Sequence, residues 1–162
     1  MGGTPAEILD RVNRQIFRSN EAGMFVTVWL GILEISTGKL TAASAGHEYP
    51  FLNVNGRYEM FRDKHGLPIG AVDFAKYNDY ELTLKKGDSI FVYTDGVAEA
   101  TNEKNELFGT ERIVNALNER PDAPPRDILE SVRRSVDAFV REAPQFDDLT
   151  MLGLKYFGPD EK

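Results

Sequence analysis

The sequence predicts an α+β protein in which a meander of antiparallel strands is followed by helices. Three observations support this fold class: a capped amphipathic helix at the start, strand pairs joined by turn residues between positions 24 and 94, and two helical repeats of apolar residues after position 109. Strands joined by short turns pair antiparallel, and helices segregated from them cover one face of the sheet. We therefore expect a sheet that is buried by helices on its outer face.

The first element is predicted to be a helix from Thr4 to about Phe17. Thr4 and Glu7 form a capping box, and Pro5 takes the first helical position, where its missing N–H costs nothing. The apolar side chains of this helix lie along one stripe of its surface, and they are Ile8, Leu9, Val12 and Ile16. The stripe is typical of a helix that packs on a sheet, although it could instead meet a partner helix.

Three strand pairs are predicted after this helix. The first joins a long apolar strand at 24–35 to a strand at 40–45, and the second surrounds an Asn-Gly dipeptide at 55–56, a strong signal for a type I′ turn. The third pairs a strand at 77–84 with an apolar strand at 89–94. This third hairpin would end at an acidic segment.

Two helices are predicted in the last third of the chain. Thr110 can cap the first of them, with Ile113, Val114 and Leu117 directed inward. The second begins at Pro124 and Pro125 and carries apolar residues at helical spacing, namely Ile128, Leu129, Val132, Val136, Phe139 and Val140. These helices would cover the sheet.

Composition excludes several classes of function. A length of 162 residues with 41% hydrophobic and 28% charged residues fits one domain, 1–162, with a sizeable core. The net charge is -7 and no Lys/Arg cluster is present, so nucleic acid is not an expected partner. No apolar stretch is long enough for membrane insertion and no signal peptide is recognisable, so we expect a cytoplasmic protein. Zero cysteines exclude disulfides, zinc-thiolate sites and a thiol nucleophile.

Two short acidic segments carry the strongest functional signal. Asp95 follows the apolar strand at 89–94, and Asp147 precedes an apolar run at 149–156. Each segment alone is typical of a turn or a solvated loop, because Asp-Gly is a common turn dipeptide. However, carboxylates at strand ends can meet in space, and oxygen ligands held there suit a hard divalent cation such as Mg2+ or Mn2+.

Together with Ala45-Gly46-His47, these segments give the chain a recognisable family pattern. From Met24 onward it resembles the SpoIIE/RsbU-like branch of the PP2C (PPM) metal-dependent serine/threonine phosphatases. The matching segments are MFVTVWLGILEISTGKL, ASAGHEYPFL, GLPIGA, KKGDSIFVYTDGVAEATN, FGTERI and FDDLTMLGLK. They cover nearly the whole chain. The resemblance implies a PP2C-like antiparallel β-sandwich flanked by helices.

The same resemblance implies a reaction and a set of site residues. Family members hydrolyse phosphoserine or phosphothreonine with a metal-activated water, two Mn2+ or Mg2+ ions and no covalent phosphoenzyme. By residue-wise match, Asp95 and Asp147 are the metal ligands, and no other catalytic residue is assigned. Asp148 would orient Asp147 or cap the loop, and Gly96 would let the turn pass close to the metals. His47 is either a hydrogen-bonded structural residue or a contact to metal or phosphate.

One family segment has no counterpart in this sequence. Relatives carry an upstream Gly-Asp-x-x-Gly-His/Lys-Gly segment whose Asp bridges the two metals, and nothing here matches it. The chain is therefore expected to be the C-terminal portion of the domain, incomplete at the N-terminus. We expect it to bind at most a single ion weakly and to be inactive alone. Missing strands would also leave exposed edges, which favour a homodimer or strand exchange.

Three functions remain open on the sequence alone. The first is a serine phosphatase acting on a phosphorylated regulatory protein, such as an anti-sigma-factor antagonist in stress-response signalling and sigma factor regulation, as the resemblance implies. The second is a non-catalytic regulatory or partner-binding module of phosphatase ancestry. The third is an unrelated divalent-cation-binding α+β domain. A reading frame that continues upstream into a Gly-Asp segment would favour the first function, whereas a stop codon before Met1 would favour the second.

Overall fold

The computed structural model describes residues 2–143 and 147–159. In chain order the elements are α1 (Pro5–Arg18), β1 (Val28–Glu34), β2 (Lys39–Ala45), β3 (Phe51–Val54), β4 (Arg57–Met60), β5 (Tyr80–Thr83), β6 (Ser89–Tyr93), α2 (Asp95–Ala98), α3 (Gly109–Asn118), α4 (Pro125–Val140) and β7 (Met151–Lys155). None of the helices in the described part of the chain has the length and hydropathy needed to cross a membrane.

The chain divides into two compact units, each with one antiparallel sheet. The first unit comprises Met1–His47, Arg62–Lys85 and Gly158–Lys162, and the second comprises Glu48–Phe61 and Lys86–Phe157. The sheet of the first unit has the order β1-β2-β5, and that of the second has the order β4-β3-β6-β7. That the two units form a single domain stays a prediction from the sequence.

Helix α1 begins as its capping residues predict. The Thr4 hydroxyl oxygen accepts a hydrogen bond from the Glu7 backbone N–H at 3.4 Å, and the Glu7 carboxylate accepts one from the Thr4 N–H at 3.1 Å. One cluster of buried residues in the first unit includes Leu9 of this helix together with residues of β2 and of the 69–77 segment, and its members are Leu9, Ala43, Ala45, Ile69, Ala75 and Tyr77. The apolar stripe of α1 is thus at least partly core.

The long strand predicted at 24–35 is wrong at its start. Strand β1 begins at Val28, whereas Met24 and Phe25 are 72% and 65% exposed. Val26 exchanges backbone hydrogen bonds with Ile69, at 3.0 and 2.9 Å. The register between β1 and β2 ends at Val28, opposite Ala45. Apolar character alone could not reveal that this segment pairs with a distant loop instead of β2.

The third predicted hairpin is also wrong, because its two strands belong to different sheets. Strand β5 pairs with β2, with Thr83 opposite Lys39. Strand β6 pairs with β3 on one side and with β7 on the other. All five residues of β6 are buried, whereas those of β5 alternate between half-buried and exposed. A fully buried strand needs partners on both sides, and a short connection is equally compatible with a crossing between sheets.

The second unit confirms the predicted type I′ hairpin and the last helix. Asn55 and Gly56 both have positive φ, 61° and 79°, between the paired strands β3 and β4. Helix α4 begins at Pro125, whereas α3 begins at Gly109, one residue before the predicted Thr110 cap. The residue before α3, Phe108, is fully buried. Core packing therefore accompanies the start of α3, which has no side-chain cap.

The core of the second unit lies between its sheet and the helices. The buried residues that form this core cluster are Phe51, Tyr58, Phe91, Tyr93, Val97, Phe108, Ile113, Ala116, Leu117, Ile128, Val132 and Val136. Three of the aromatic rings pack together, with the Tyr93 ring centroid 5.7 Å from that of Phe51 and 5.8 Å from that of Phe91. This packing fixes the end of β6, which leads directly to the first acidic segment.

Candidate metal centre

The two acidic segments lie at the same end of one strand pair. Strands β6 and β7 are antiparallel neighbours, and their register ends with Tyr93 opposite Met151. Asp95 is the first residue of α2, two positions beyond β6, and Asp147 lies four positions before β7. Because antiparallel pairing brings the end of one strand beside the start of the next, the pairing explains why the segments meet.

Backbone and side-chain groups join the two segments directly. The Thr94 N–H donates to the Thr150 carbonyl oxygen at 3.0 Å. The Thr94 hydroxyl accepts from the Thr150 N–H at 3.1 Å and donates to the Asp148 carbonyl oxygen at 3.2 Å. Gly96 is buried, and a Cβ there would overlap the Asp148 carbonyl oxygen and lie 3.3 Å from Asp147 Cβ. The close approach therefore requires glycine.

The three aspartates of the two acidic segments are exposed. Asp95, Asp147 and Asp148 all have high residue exposure. One oxygen of Asp95, Oδ1, accepts the Gly96 N–H at 3.0 Å, and one oxygen of Asp147, Oδ1, accepts the Asp148 N–H at 2.7 Å. These backbone bonds orient both carboxylates, because a carboxylate whose oxygen is held by an N–H loses rotational freedom. The contact of Asp148 with Asp147 that the structure describes is made by the Asp148 backbone N–H.

The donor chemistry of the two aspartates fits a hard cation. Carboxylate oxygens are the ligands that Mg2+ and Mn2+ prefer, and both ions normally take about six ligands. Within residues 2–143 and 147–159, however, no group of three or more His, Cys, Asp or Glu side chains could hold a metal ion. Asp95 and Asp147 would therefore hold a cation together with water or with groups from elsewhere.

A buried tyrosine anchors the strand end below Asp95. Tyr93 is 1% exposed, and its hydroxyl donates to Glu48 Oε2 at 3.4 Å. Burial, and to a smaller degree the Glu48 carboxylate, raises the pKa of Tyr93 well above its usual range. The phenol therefore stays protonated and keeps donating, which holds the residue next to Thr94 in place.

An open cleft reaches the candidate site from the side of α4. It contains about 420 Å3 of empty space, part of which is open to solvent. Its lining residues are Gly96, Glu99, Ala100, Thr101, Arg133, Val136, Asp137, Val140, Asp147 and Leu149. Among the described lining residues the one cation is Arg133, which is paired with Asp137 through Nε and Oδ1 at 2.8 Å. The cleft makes the Asp147 segment accessible beside α2.

His47 belongs to the first unit, whereas Asp95, Gly96, Asp147 and Asp148 belong to the second. The His47 ring nitrogen Nδ1 lies 3.1 Å from the Thr27 hydroxyl oxygen. A hydrogen bond of this kind is typical of a structural histidine. Contact of His47 with a metal or a phosphate stays a prediction. Sequence reasoning does not single out Thr94, whose hydroxyl bonds the opposite acidic segment. A Thr directly before Asp-Gly, where a strand passes into a helix, is the signal that could have identified it.

The fit between the segments makes a stability prediction for Gly96→Ala. We expect the free energy of unfolding of this variant to be about 1–3 kcal/mol lower than that of the wild-type chain, because the new Cβ must displace the Asp148 carbonyl. The matched control is Gly153→Ala in β7, whose Cβ would make only ordinary contacts, the nearest at 3.4 Å to Pro125. Urea unfolding of both variants measures the difference, and equal stabilities would contradict the close approach at Gly96.

Comparison with known proteins identifies relatives along nearly the whole chain. Residues 1–157 match the family described as Stage II sporulation protein E (SpoIIE). The chain is 31% identical over 154 residues to the phosphoserine phosphatase RsbU of Bacillus subtilis, and this match covers 93% of the chain and 45% of RsbU. The chain spans less than half the length of the curated relatives it matches.

Solved structures share the fold. The SiaA-PP2C domain of Pseudomonas aeruginosa has a TM-score of 0.81 at 23% identity, over 94% of this chain and 60% of that one. The phosphatase domain of the Bacillus subtilis cell fate determinant SpoIIE, presoaked with Mn, has a TM-score of 0.68 at 12% identity, over 100% of this chain and 77% of that one. The predicted PP2C-like arrangement of antiparallel sheets flanked by helices is thereby confirmed.

Proposed function

Since the chain belongs to the SpoIIE family of PP2C-type phosphatase domains, we propose that its parent protein hydrolyses phosphoserine or phosphothreonine on a regulatory protein with Mn2+ or Mg2+. The observation that carries the proposal is the placement of Asp95 and Asp147 at one end of the paired strands β6 and β7. The phosphoserine named for RsbU and the Mn used with SpoIIE support the substrate and the ion.

Asp95 and Asp147 are the proposed metal ligands, and their charge explains why a cation belongs between them. As a general estimate, any two carboxylates at a separation of about 5 Å repel by roughly 3 kcal/mol at an effective dielectric near 20, so a cation that contacts both relieves the repulsion. When bound, the metal lowers the pKa of an attacking water and neutralises charge on the phosphoryl oxygens. The protein's part is to hold the two carboxylates at fixed positions.

The neighbouring residues act on these ligands rather than on the phosphoryl group. The Asp148 N–H orients Asp147, and the Gly96 N–H orients Asp95. Gly96 also admits the Asp148 backbone at a distance that no side chain would allow. We retain His47 as an accessory candidate only, because its described bond is to Thr27.

The substrate that we propose is a phosphorylated bacterial regulator of the anti-sigma-factor-antagonist kind. The exposed position of the carboxylates suits a phosphorylated side chain presented on a protein surface, since both partners meet there without a large rearrangement. The test is the parent protein's release of phosphate from a phosphoserine peptide in the presence of Mn2+. Activity that disappears with a chelator and returns with Mn2+ is expected, and chelator-resistant or absent activity would contradict the proposal.

A non-catalytic regulatory module of phosphatase ancestry is the second candidate function. It is favoured by the lack, among residues 2–143 and 147–159, of three or more potential ligands grouped around one point. Such a module would bind a partner protein without hydrolysing a phosphorylated side chain. The phosphatase assay on the parent protein separates the two functions, because a regulatory module would remain inactive with every added metal.

Self-association through β1 is the interaction we expect of this chain in isolation. Among the described strands β1 pairs with β2 alone, and it carries one charged residue, Glu34, in seven. Ile32 on this strand is 46% exposed. Long apolar edges of this kind template pairing with another chain. Analytical ultracentrifugation should detect dimers that Ile32→Lys weakens, and a monomer at all concentrations would rule this interface out.

A further inference from the structure

The backbone carbonyl and the side chain of Thr94 form hydrogen bonds with different parts of the second unit. Its carbonyl oxygen accepts the Val97 N–H at 3.0 Å and so begins α2. A Thr at this N-cap position normally uses its hydroxyl to accept a backbone N–H of the first helical turn. The Thr94 hydroxyl makes no such capping bond. It is directed instead to the opposite acidic segment.

The bonds of Thr94 to that segment extend the strand ladder by one step. Regular pairing of β6 and β7 ends with Tyr93 opposite Met151. In the next step, the Thr94 N–H bonds the Thr150 carbonyl at 3.0 Å, and the Thr150 N–H bonds the Thr94 hydroxyl at 3.1 Å instead of a carbonyl. The hydroxyl proton is donated to the Asp148 carbonyl at 3.2 Å. The Thr94 hydroxyl thus takes the place of the Thr94 carbonyl as the acceptor, because that carbonyl already accepts a hydrogen bond within α2.

We propose that Thr94 is a positioning residue of the metal centre, whose hydroxyl holds the segment with Asp147 and Asp148 against the start of α2. The inference rests on the proposed function, because it concerns the presentation of Asp95 and Asp147 to a cation. Segments that carry like charges are held together less firmly when such a tether is lost, since the two carboxylates repel each other until a cation binds. Ligands held in place beforehand bind with a smaller ordering cost.

Two substitutions separate the hydroxyl from the shape of the side chain. Thr94→Val keeps the branched shape and removes the hydroxyl, whereas Thr94→Ser keeps the hydroxyl and removes a methyl group. A matched control is Thr37→Val, because the Thr37 hydroxyl bonds Glu34 Oε2 at 2.6 Å in a turn of the first unit. All four proteins can be compared as the 162-residue chain, without any activity measurement.

The experiment combines amide exchange with Mn2+ titration by NMR. Thr94→Val should exchange the Thr150 amide about 3–10-fold faster, as expected for one lost hydrogen bond. It should also raise, by a similar factor, the Mn2+ concentration that half-broadens the amide signals of Asp95 and Asp147. Thr94→Ser should restore both values, and Thr37→Val should leave both unchanged.

The outcomes distinguish this inference from the proposed function. Unchanged Thr150 exchange and Mn2+ broadening in Thr94→Val would overturn the inference, and so would a Thr94→Ser variant as impaired as Thr94→Val. If Mn2+ fails to broaden these signals in the wild-type chain, the proposed metal ligands are wrong. Faster Thr150 exchange in Thr94→Val, restored by Thr94→Ser, would then still support the tether between the two segments.

Discussion

Replacement of Asp95 or Asp147 by Asn in the parent protein is expected to lower phosphatase turnover at least ~100-fold. Each substitution removes a negative charge from a proposed metal ligand, at the place where charge develops in the transition state. The steric change is small, because Asn has nearly the same shape as Asp. The loss should therefore come from weaker metal binding and weaker charge stabilisation, and not from unfolding.

Asp148→Asn is the matched control for these two variants. Asp148 contributes to the site through its backbone N–H and carbonyl, which bond Asp147 and Thr94, and both groups survive the substitution. Its loss of turnover should thus be clearly smaller than that of Asp147→Asn. Rates measured across a Mn2+ titration give the comparison. Near-normal turnover in both Asp95→Asn and Asp147→Asn would end the ligand assignment, and an equal or larger loss in Asp148→Asn would move the ligand by one residue.

The 162-residue chain alone is expected to show no phosphatase turnover, even with millimolar Mn2+. The family's bridging Asp lies in a Gly-Asp segment that has no counterpart in this sequence. Asp95 and Asp147 alone supply part of one coordination shell, so a pair of cations cannot be clamped against a phosphoryl group. The expectation concerns coordination and not folding.

A complementation assay measures this directly. The purified chain is incubated with a phosphoserine peptide and Mn2+, with and without an added peptide that carries the family's Gly-Asp segment. The parent protein serves as the positive control, and the same added peptide with Asp replaced by Asn serves as the negative control. Chelator-sensitive turnover by the chain alone would show that it completes a metal site from residues that we consider structural.

The sequence predicted the local elements well where one short signal fixes the backbone. The capping box of Thr4 and Glu7 fixed the start of α1, and Asn55-Gly56 fixed a type I′ turn because both residues tolerate positive φ. The buried spacing of Ile128, Val132 and Val136 identified α4. The same kind of reasoning failed at 24–27 and in the third hairpin, since it cannot tell which distant strand a segment will pair with.

The sequence also determined which residues are candidates for the site, namely Asp95, Gly96 and Asp147. Only the tertiary structure decided how these residues meet. Pairing of β6 with β7 joins segments that are about 50 positions apart, and the Thr94 hydroxyl completes that pairing because the Thr94 carbonyl already belongs to α2. A hydroxyl's partner depends on which strand lies beside it. That neighbour is set by long-range packing, which no local pattern encodes.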